Sequence, residues 1–405
     1  MNGATKLAEE GRMLSLTEGV SPKRAGDMRP IRILQGVVAN DGGGLTGYIC
    51  QNYRFLDRRR FQFDFITYDE HLDFEATFSA MGARFFHIPR PSHPLAHYRA
   101  LRAIVRTVRP DILHLNLSYA NIVQLGLARL AGFPIIIAHS HSTGFDEARW
   151  QVRFVKSLVH RAGRWGMSQL ADAYFACSML AAAWMFPTAL RQSPSFYLAH
   201  NAIDLDRFAY RPELRAKERK ALGIPADSLV LGHVGRFTYQ KNHEFLLDIF
   251  VAVHQAAPNT HLLLIGEGPL KTQSEAKVRA LGLASAVHFL GYRKDIAALY
   301  QAIDCVVLPS RFEGLCIVAI EAQAAGLPCV CSDALPEETR LTPMYRSLSL
   351  EEAVPVWRDC VLEAVRKPRM DTRRLLSEHG YDVRKEILCM QKKYETLLHK
   401  DNLYE

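Results

Sequence analysis

Two carboxylates, Glu313 and Glu321, are separated by seven residues in Ser310-Arg311-Phe312-Glu313-Gly314-Leu315-Cys316-Ile317-Val318-Ala319-Ile320-Glu321. The apolar run Cys305–Leu308 reads as a buried strand, so Glu313 falls in a loop and Glu321 on the helix that follows. A charge among Ile317, Val318, Ile320 and Ala324 is costly unless something satisfies it. Carboxylates accept hydrogen bonds from vicinal hydroxyls, which makes a sugar or a ribose the natural ligand. A helix-start acid with an incidental exposed Glu is the blander account, and it leaves the apolar setting of Glu321 unexplained.

A second constellation, Gly235-Arg236-Phe237-Thr238-Tyr239-Gln240-Lys241-Asn242, follows the strand-like run Leu229–Val234. Arg236 sits at the strand's carboxyl end and Lys241 near the start of the next helix. Two cations beside a helix N-terminus suit a diphosphate without a metal, although solvated surface cations would fit the pattern equally. A third, Asp41-Gly42-Gly43-Gly44-Leu45-Thr46-Gly47, follows the first strand. Gly42, Gly44 and Gly47 spell G-x-G-x-x-G, with Asp64 or Asp69 near the distance of a ribose-binding acid. Ala39-Asn40-Asp41 lengthens that turn, and a tight strand-to-helix connection explains the glycines as well as a nucleotide does.

Elements that could position these groups are legible in the pattern. The chain has 405 residues, 48% hydrophobic and 23% charged, enough for two or three domains at about 150 residues each. That composition excludes disorder, collagen and coiled coil as the main state. The longest apolar runs, such as Ile135-Ile136-Ile137-Ala138 and His261-Leu262-Leu263-Leu264-Ile265, are strand-sized, well short of the ~20 residues of a membrane helix. Short β-branched runs alternate with amphipathic ones in two series, so two tandem Rossmann-like doubly wound α/β domains are expected, facing across a cleft. Residues 1–29 read as a flexible leader rather than a secretory signal. Residues 30–200 form the first domain and 201–380 the second, with a Pro-, Arg- and Glu-rich linker over 190–227. Residues 381–405 form a final helix that packs back on the first domain. Ligands of such domains bind at the carboxyl ends of the strands.

Eight scattered cysteines fit neither a disulfide framework nor a zinc site, and read as reduced. The net charge of +8 is unevenly placed: residues 1–200 carry 23 Lys and Arg against 15 Asp and Glu, and residues 201–405 carry 27 against 27. An anionic partner for the first half follows. No nucleic-acid-binding signature accompanies the charge, so an acidic membrane surface is preferred. Arg99, Arg102, Arg106 and Arg109 recur at helical spacing, with Arg58-Arg59-Arg60 as a second cluster, and these are the residues expected to meet it.

Together with Ile265-Gly266-Glu267-Gly268-Pro269 and Asn201-Ala202-Ile203-Asp204, these segments resemble the retaining glycosyltransferases of the GT-B fold, family four, over roughly residues 31 to 400. Within that family, Ile137-Ala138-His139-Ser140-His141-Ser142 and Glu321-Ala322-Gln323-Ala324-Ala325-Gly326-Leu327-Pro328 resemble exopolysaccharide and capsule-assembly enzymes. The resemblance implies a nucleotide-sugar donor, a UDP-sugar at family level. It implies a glycan or polyprenyl-linked acceptor, and a cytoplasmic enzyme, peripheral on the inner face of the plasma membrane. Arg236 and Lys241 would neutralise the donor's diphosphate. Glu313 would hold sugar hydroxyls, the amides of Gly314, Leu315 and Cys316 would face phosphate, and Glu321 would take the ribose. Gly266 and Glu267 would line the nucleotide pocket, the backbone at Arg293 would lie beside the base, and Gly43 and Gly44 would lie under the diphosphate. His141 would contact the donor sugar near the reacting carbon; His139 competes, and His141 is favoured because it lies further past the strand end. Same-face attack and covalent double displacement both remain open.

Asn201-Ala202-Ile203-Asp204 departs from the family by having Ala where Gly is usual. Asp204-Leu205-Asp206 spells D-x-D, yet a structural role is expected, with Asp206 capping a helical turn; no metal and no cofactor are predicted. His114 and Asn116 end a strand and could reach the cleft, with a satisfied core role expected for the histidine. The rivals are a nicotinamide-dependent oxidoreductase built on the first glycine loop, a nucleotide-sugar epimerase, and a silent nucleotide-sugar binder.

Overall fold

Parallel strands covered on both faces read as near-continuous apolar runs, and the chain has two such sets. A computed structural model describes residues 29–40, 44–147 and 149–401. The expected leader, apart from Arg29, and the candidate Gly43 lie outside the described residues. The first sheet holds β1 (Ile31–Val38), β2 (Phe61–Thr67), β3 (Phe85–His87), β4 (Ile112–Leu117), β5 (Ile135–Ser140), β6 (Ala173–Ala176) and β7 (Phe196–Leu198). Its order is β3-β2-β1-β4-β5-β6-β7. The second holds β8 (Leu229–Val234), β9 (Thr260–Ile265), β10 (Val287–Gly291), β11 (Cys305–Leu308), β12 (Cys329–Ser332) and β13 (Tyr345–Leu348). Its order is β10-β9-β8-β11-β12-β13. Both are parallel throughout. Each reverses its strand order once, between β1 and β4 and between β8 and β11, which opens a crevice there. The chain is two doubly wound α/β units.

Alternation along the strands sends side chains to opposite faces. Ile33 joins one hydrophobic layer, under Tyr53 and Phe78, and Leu34 the other, under Leu101, Ile104 and Leu125. The first layer is completed from the far end of the chain, by Ile387, Met390 and Tyr394 of the helix Val383–Asp401. Phe61, Phe63 and Phe65 of β2 are fully buried there, each contributing roughly 1.5–3 kcal/mol of transfer free energy.

The expected linker over 190–227 is instead structured. It contains β7, the edge strand of the first sheet, and the helix Pro212–Ala221. That helix has almost no apolar face, so periodicity gave no sign of it. Its anchor is electrostatic: Asp304 accepts from Arg215 and Arg219, each at 2.6 Å, and from the Val230 amide at 2.8 Å. All eight cysteines are unpaired, six of them buried.

Candidate active site

Period-two alternation places His114 and Asn116 on one face of β4, and the register sets Asn116 beside His139 of β5. A buried chain of hydrogen bonds results. Tyr394 Oη lies 2.8 Å from His114 Nδ1, and His114 Nε2 lies 2.9 Å from His139 Nδ1. The His139 and His141 rings are 3.9 Å apart, centre to centre. Burial pushes His114 down to about 3 and, with His114 nearby, His141 to about 3; His139 is lowered as well, by burial and by its two neighbours. All three are therefore neutral at working pH.

Asn116 decides which nitrogen of His141 carries the proton. Its amide nitrogen donates to the Gly36 carbonyl at 3.0 Å, so its Oδ1 accepts from His141 Nε2 at 2.9 Å. His141 Nδ1 is left as an acceptor with no partner among the described residues. His139 is fully buried inside β5, whereas His141 follows the strand and is half-buried.

The second unit supplies charge. Lys241 Nζ lies 2.6 Å from Glu313 Oε1, and Gln240 Nε2 donates to Glu313 Oε2 at 3.0 Å. Burial works against the Lys241 ammonium, but Glu313 and Cys316 beside it outweigh that and hold it up at about 12. Arg236 is exposed on the same loop. The loop packs backbone to backbone on the turn after β9: Gly266 has φ +145°, and a Cβ there would sit 2.2 Å from the Gly235 carbonyl oxygen. Burial raises Glu321 from 4.5 to about 7, opposed by a hydrogen bond from Tyr300 Oη at 3.2 Å and by Arg207.

These groups meet where the two units touch. A Cβ on Gly314 would lie 1.9 Å from the His141 carbonyl oxygen, so the Glu313 loop rests directly on the backbone that carries the histidine. Thr143 Oγ1 donates to the Glu313 carbonyl at 2.8 Å and Ser178 Oγ to that of Gly314 at 2.5 Å. The helix Gly44–Phe55 starts against Ile317, the first residue of the helix Ile317–Ala324. Neither has an acid in its first turn, and Cys316 caps the second without a side-chain hydrogen bond. Two helix N-termini and Lys241 thus converge on one place, which suits an anion of more than one charge.

The structure brings together Gly44, His141, Lys241, Glu313, Gly314, Leu315 and Cys316, with Glu321 one helix turn further along. It does not join the side chains of Glu267 and Arg293 to them: Glu267 pairs with Lys271 at 2.8 Å and Arg293 forks onto Asp295. The proposed cap at Asp206 is corrected. Asp204 holds the cap position of Leu205–Phe208 without a side-chain cap bond, and Asp206 lies in the first turn. Both acids face Arg384 of the final helix, at 3.0 and 3.5 Å, because the junction needs tying to it. Among the described residues no cluster of three His, Cys, Asp or Glu could hold a metal ion. The two acids that a nicotinamide site would use are occupied. Asp64 is buried between Arg32 at 2.7 Å and Arg84 at 3.0 Å, and Asp69 accepts from the Asn40 amide at 2.9 Å. Sequence reading assigned no role to Gln240 or Tyr300, because their partners come from distant strands and helices.

Known proteins resemble this chain in sequence and in fold. The family described as glycosyl transferases group 1 matches residues 215–339, and the glycosyl transferase 4-like domain matches residues 43–191. EpsF of Bacillus subtilis (strain 168), named as a glycosyltransferase, is 31% identical over 92% of this chain and 98% of its own. An Escherichia coli protein named UDP-Gal:alpha-D-GlcNAc-diphosphoundecaprenol alpha-1,3-galactosyltransferase is 26% identical over 58% of this chain and 60% of its own. The crystal structure of Anabaena HepE in complex with UDP and glucose has the same fold, with a TM-score of 0.72 at 19% identity over 90% of this chain and 99% of that one.

Proposed function

Since this chain belongs to the glycosyl transferases group 1, we propose that it moves a sugar, with retention, from a UDP-sugar to a glycan or polyprenyl-diphosphate-linked acceptor in surface or exopolysaccharide assembly. The single observation that carries this reading is the Lys241–Glu313 pair at the junction of two helix N-termini, with the acceptor nitrogen of His141 on the facing loop. Names of relatives support the donor and acceptor classes: a UDP-Gal transferase acting on a diphosphoundecaprenol, and a structure holding UDP and glucose.

In this reading Lys241, Arg236 and the amides of Gly314–Cys316 take the diphosphate, over Gly43 and Gly44. Glu313 holds sugar hydroxyls and Glu321 the ribose, while Gly266, Glu267 and the backbone at Arg293 border the nucleotide. His141 Nδ1 accepts from a donor-sugar hydroxyl. The bond from the anomeric carbon to phosphate oxygen breaks, the acceptor oxygen bonds to that carbon from the same face, and its proton passes to the departing phosphate oxygen. The neutral His141 and Asn116 beside the sugar position, and a Glu313 already engaged by Lys241, support this course over a covalent carboxylate intermediate. Charge stabilisation by Lys241 and the helix N-termini is its largest catalytic contribution. A lipid-borne acceptor puts the enzyme on the inner face of the plasma membrane.

Product analysis over a panel of UDP-, GDP- and ADP-sugars, with and without a polyprenyl-diphosphate acceptor, tests the proposal. Transfer from a UDP-sugar is expected. Thermal protection by NAD but not by UDP, with no transfer from any donor, would falsify it.

Two further results are expected. Ionised Glu321 accepts from both ribose hydroxyls, and protonation turns one of its two oxygens into a donor, so only one such bond survives. Donor kcat/KM should therefore fall as pH drops below about 7. Glu321→Gln should flatten that acid limb and lower kcat/KM at pH 8 by about 10–100-fold. Asn116→Ala should cost about 100-fold in kcat by releasing the tautomer and tilt of His141, with donor KM changed far less. A pH profile and a kcat-against-KM comparison check each.

A further inference from the structure

The helix Trp150–Leu170 turns its apolar side the wrong way for a core. Only His160, Gly163 and Met167 are buried. Trp150, Phe154, Leu158 and Trp165, at helical spacing on the opposite face, are 65%, 59%, 50% and 84% exposed. Val155 and Val159 are about half exposed beside them. A contiguous apolar face of this kind on a water-soluble surface marks something that covers it.

Charge selects the occupant. The helix carries Arg153, Lys156, Arg161 and Arg164 and no acidic residue. Arg161 and Lys156 are exposed, Lys156 beside Glu147, whereas Arg153 is bound to Tyr239 and Arg164 to the carbonyls of Ala183 and Phe186. The half of the chain that contains the helix holds the whole surplus of +8. A helix with Trp, Phe and Leu on one side and only basic charges suits the boundary of an anionic bilayer, where indole rings and basic groups are both favoured. No described helix is long and apolar enough to cross a membrane, so contact is by lying on it. Neighbouring helices of the same layer extend the face: Leu95 and Leu130 are exposed along a groove that they share with Pro94, Tyr98 and Leu127. Arg99 and Arg106 lie exposed on the helix Pro94–Val108 beside that groove.

Position gives the face a use. The loop that leaves β5 through His141 and rests on the Glu313 loop leads into Trp150, and Arg153 near that end donates to Tyr239 Oη at 3.2 Å across the two units. The helix therefore begins at the rim of the cleft. We infer that the outward face of Trp150–Leu170, through Phe154, Leu158 and Trp165, seats the enzyme on an anionic lipid surface with the cleft mouth beside it. This inference goes beyond the transfer reaction and holds whichever sugar is moved.

Co-sedimentation of the full chain with vesicles of equal phosphatidylglycerol and phosphatidylcholine tests it. Binding is expected, weakening as salt rises, and much weaker to phosphatidylcholine alone. Phe154→Ser, Leu158→Ser and Trp165→Ser combined should lower vesicle affinity by at least roughly tenfold. Thermal protection by UDP should not change, since no candidate donor contact is touched; loss of that protection in the wild type bears on the proposed function and leaves this inference standing. A wild type that stays in the supernatant overturns the inference, as does a triple variant that still binds. Equal binding to both vesicle types overturns the anionic partner. A lipid-free dimer that the triple variant abolishes would assign the face to a second copy of the chain.

Discussion

Lys241→Ala is expected to lower kcat/KM for sugar transfer by about 1,000-fold or more, the scale of removing a preorganised charge from a developing oxyanion in a dry site. The loss has two sources that measurement can separate. Glu313 is 5% exposed, and without the ammonium at 2.6 Å it becomes a buried uncompensated charge. Breaking one side of such a pair costs about 3–5 kcal/mol of stability. Lys241→Met with Glu313→Gln removes both charges and should recover most of the melting temperature. It should recover none of the activity, because the diphosphate still lacks its cation. An active Lys241→Ala enzyme would take that residue out of the site; a double variant that regains turnover would show the pair to be structural only.

Gly314→Ala should be nearly as damaging by a different route. The new methyl would stand 1.9 Å from the His141 carbonyl oxygen and 2.9 Å from the Ser142 nitrogen. Both are backbone atoms that cannot swing aside, so the loop must lift and the two units part. A shift of about 1 Å at a reacting centre costs on the order of 100-fold, and a fall of that size or larger in kcat is expected. Each unit keeps its own core, so circular dichroism should be unchanged. Small-angle scattering should show a more open particle. Wild-type turnover in this variant would mean that the contact between Gly314 and His141 plays no part in assembling the site.

The strands that build the site could be read from the chain because buried parallel strands are uniformly apolar: Ile135–Ala138, Leu229–Val234 and Cys305–Leu308 need no partner to be recognised. The strands β7 and β13 were missed. Each is an edge strand of its sheet and very short: Phe196–Leu198 is half-exposed throughout, and Tyr345–Leu348 runs from buried Tyr345 to exposed Ser347, so neither carries much pattern. Glu313, Glu321, Lys241 and His141 drew notice because a charge or an imidazole in an apolar or glycine-rich setting is conspicuous. Gln240, Tyr300 and the proton-fixing function of Asn116 depend on register and on contacts between units, which no local window contains.

The helix Trp150–Leu170 shows the same limit in reverse. Its apolar spacing is that of an ordinary core helix, and only the fold reveals that the core is on its other side. The sequence reading therefore placed membrane contact on the arginines of Arg99–Arg109 and Arg58–Arg60. Arg60 proves to be paired with Glu395 of the final helix.

That final helix carries a consequence for how the protein comes into being. Ile387, Met390 and Tyr394 fill the first unit's interior, and the Tyr394 hydroxyl holds His114 at 2.8 Å. The earlier of the two units is thus finished after the later one: its hydrophobic layer stays open on one side until the helix Val383–Asp401 has been synthesised. A nascent chain halted just after residue 382 would hold the second unit's core, Tyr381 included, beside an unsealed first one, with the histidine row deprived of its anchor.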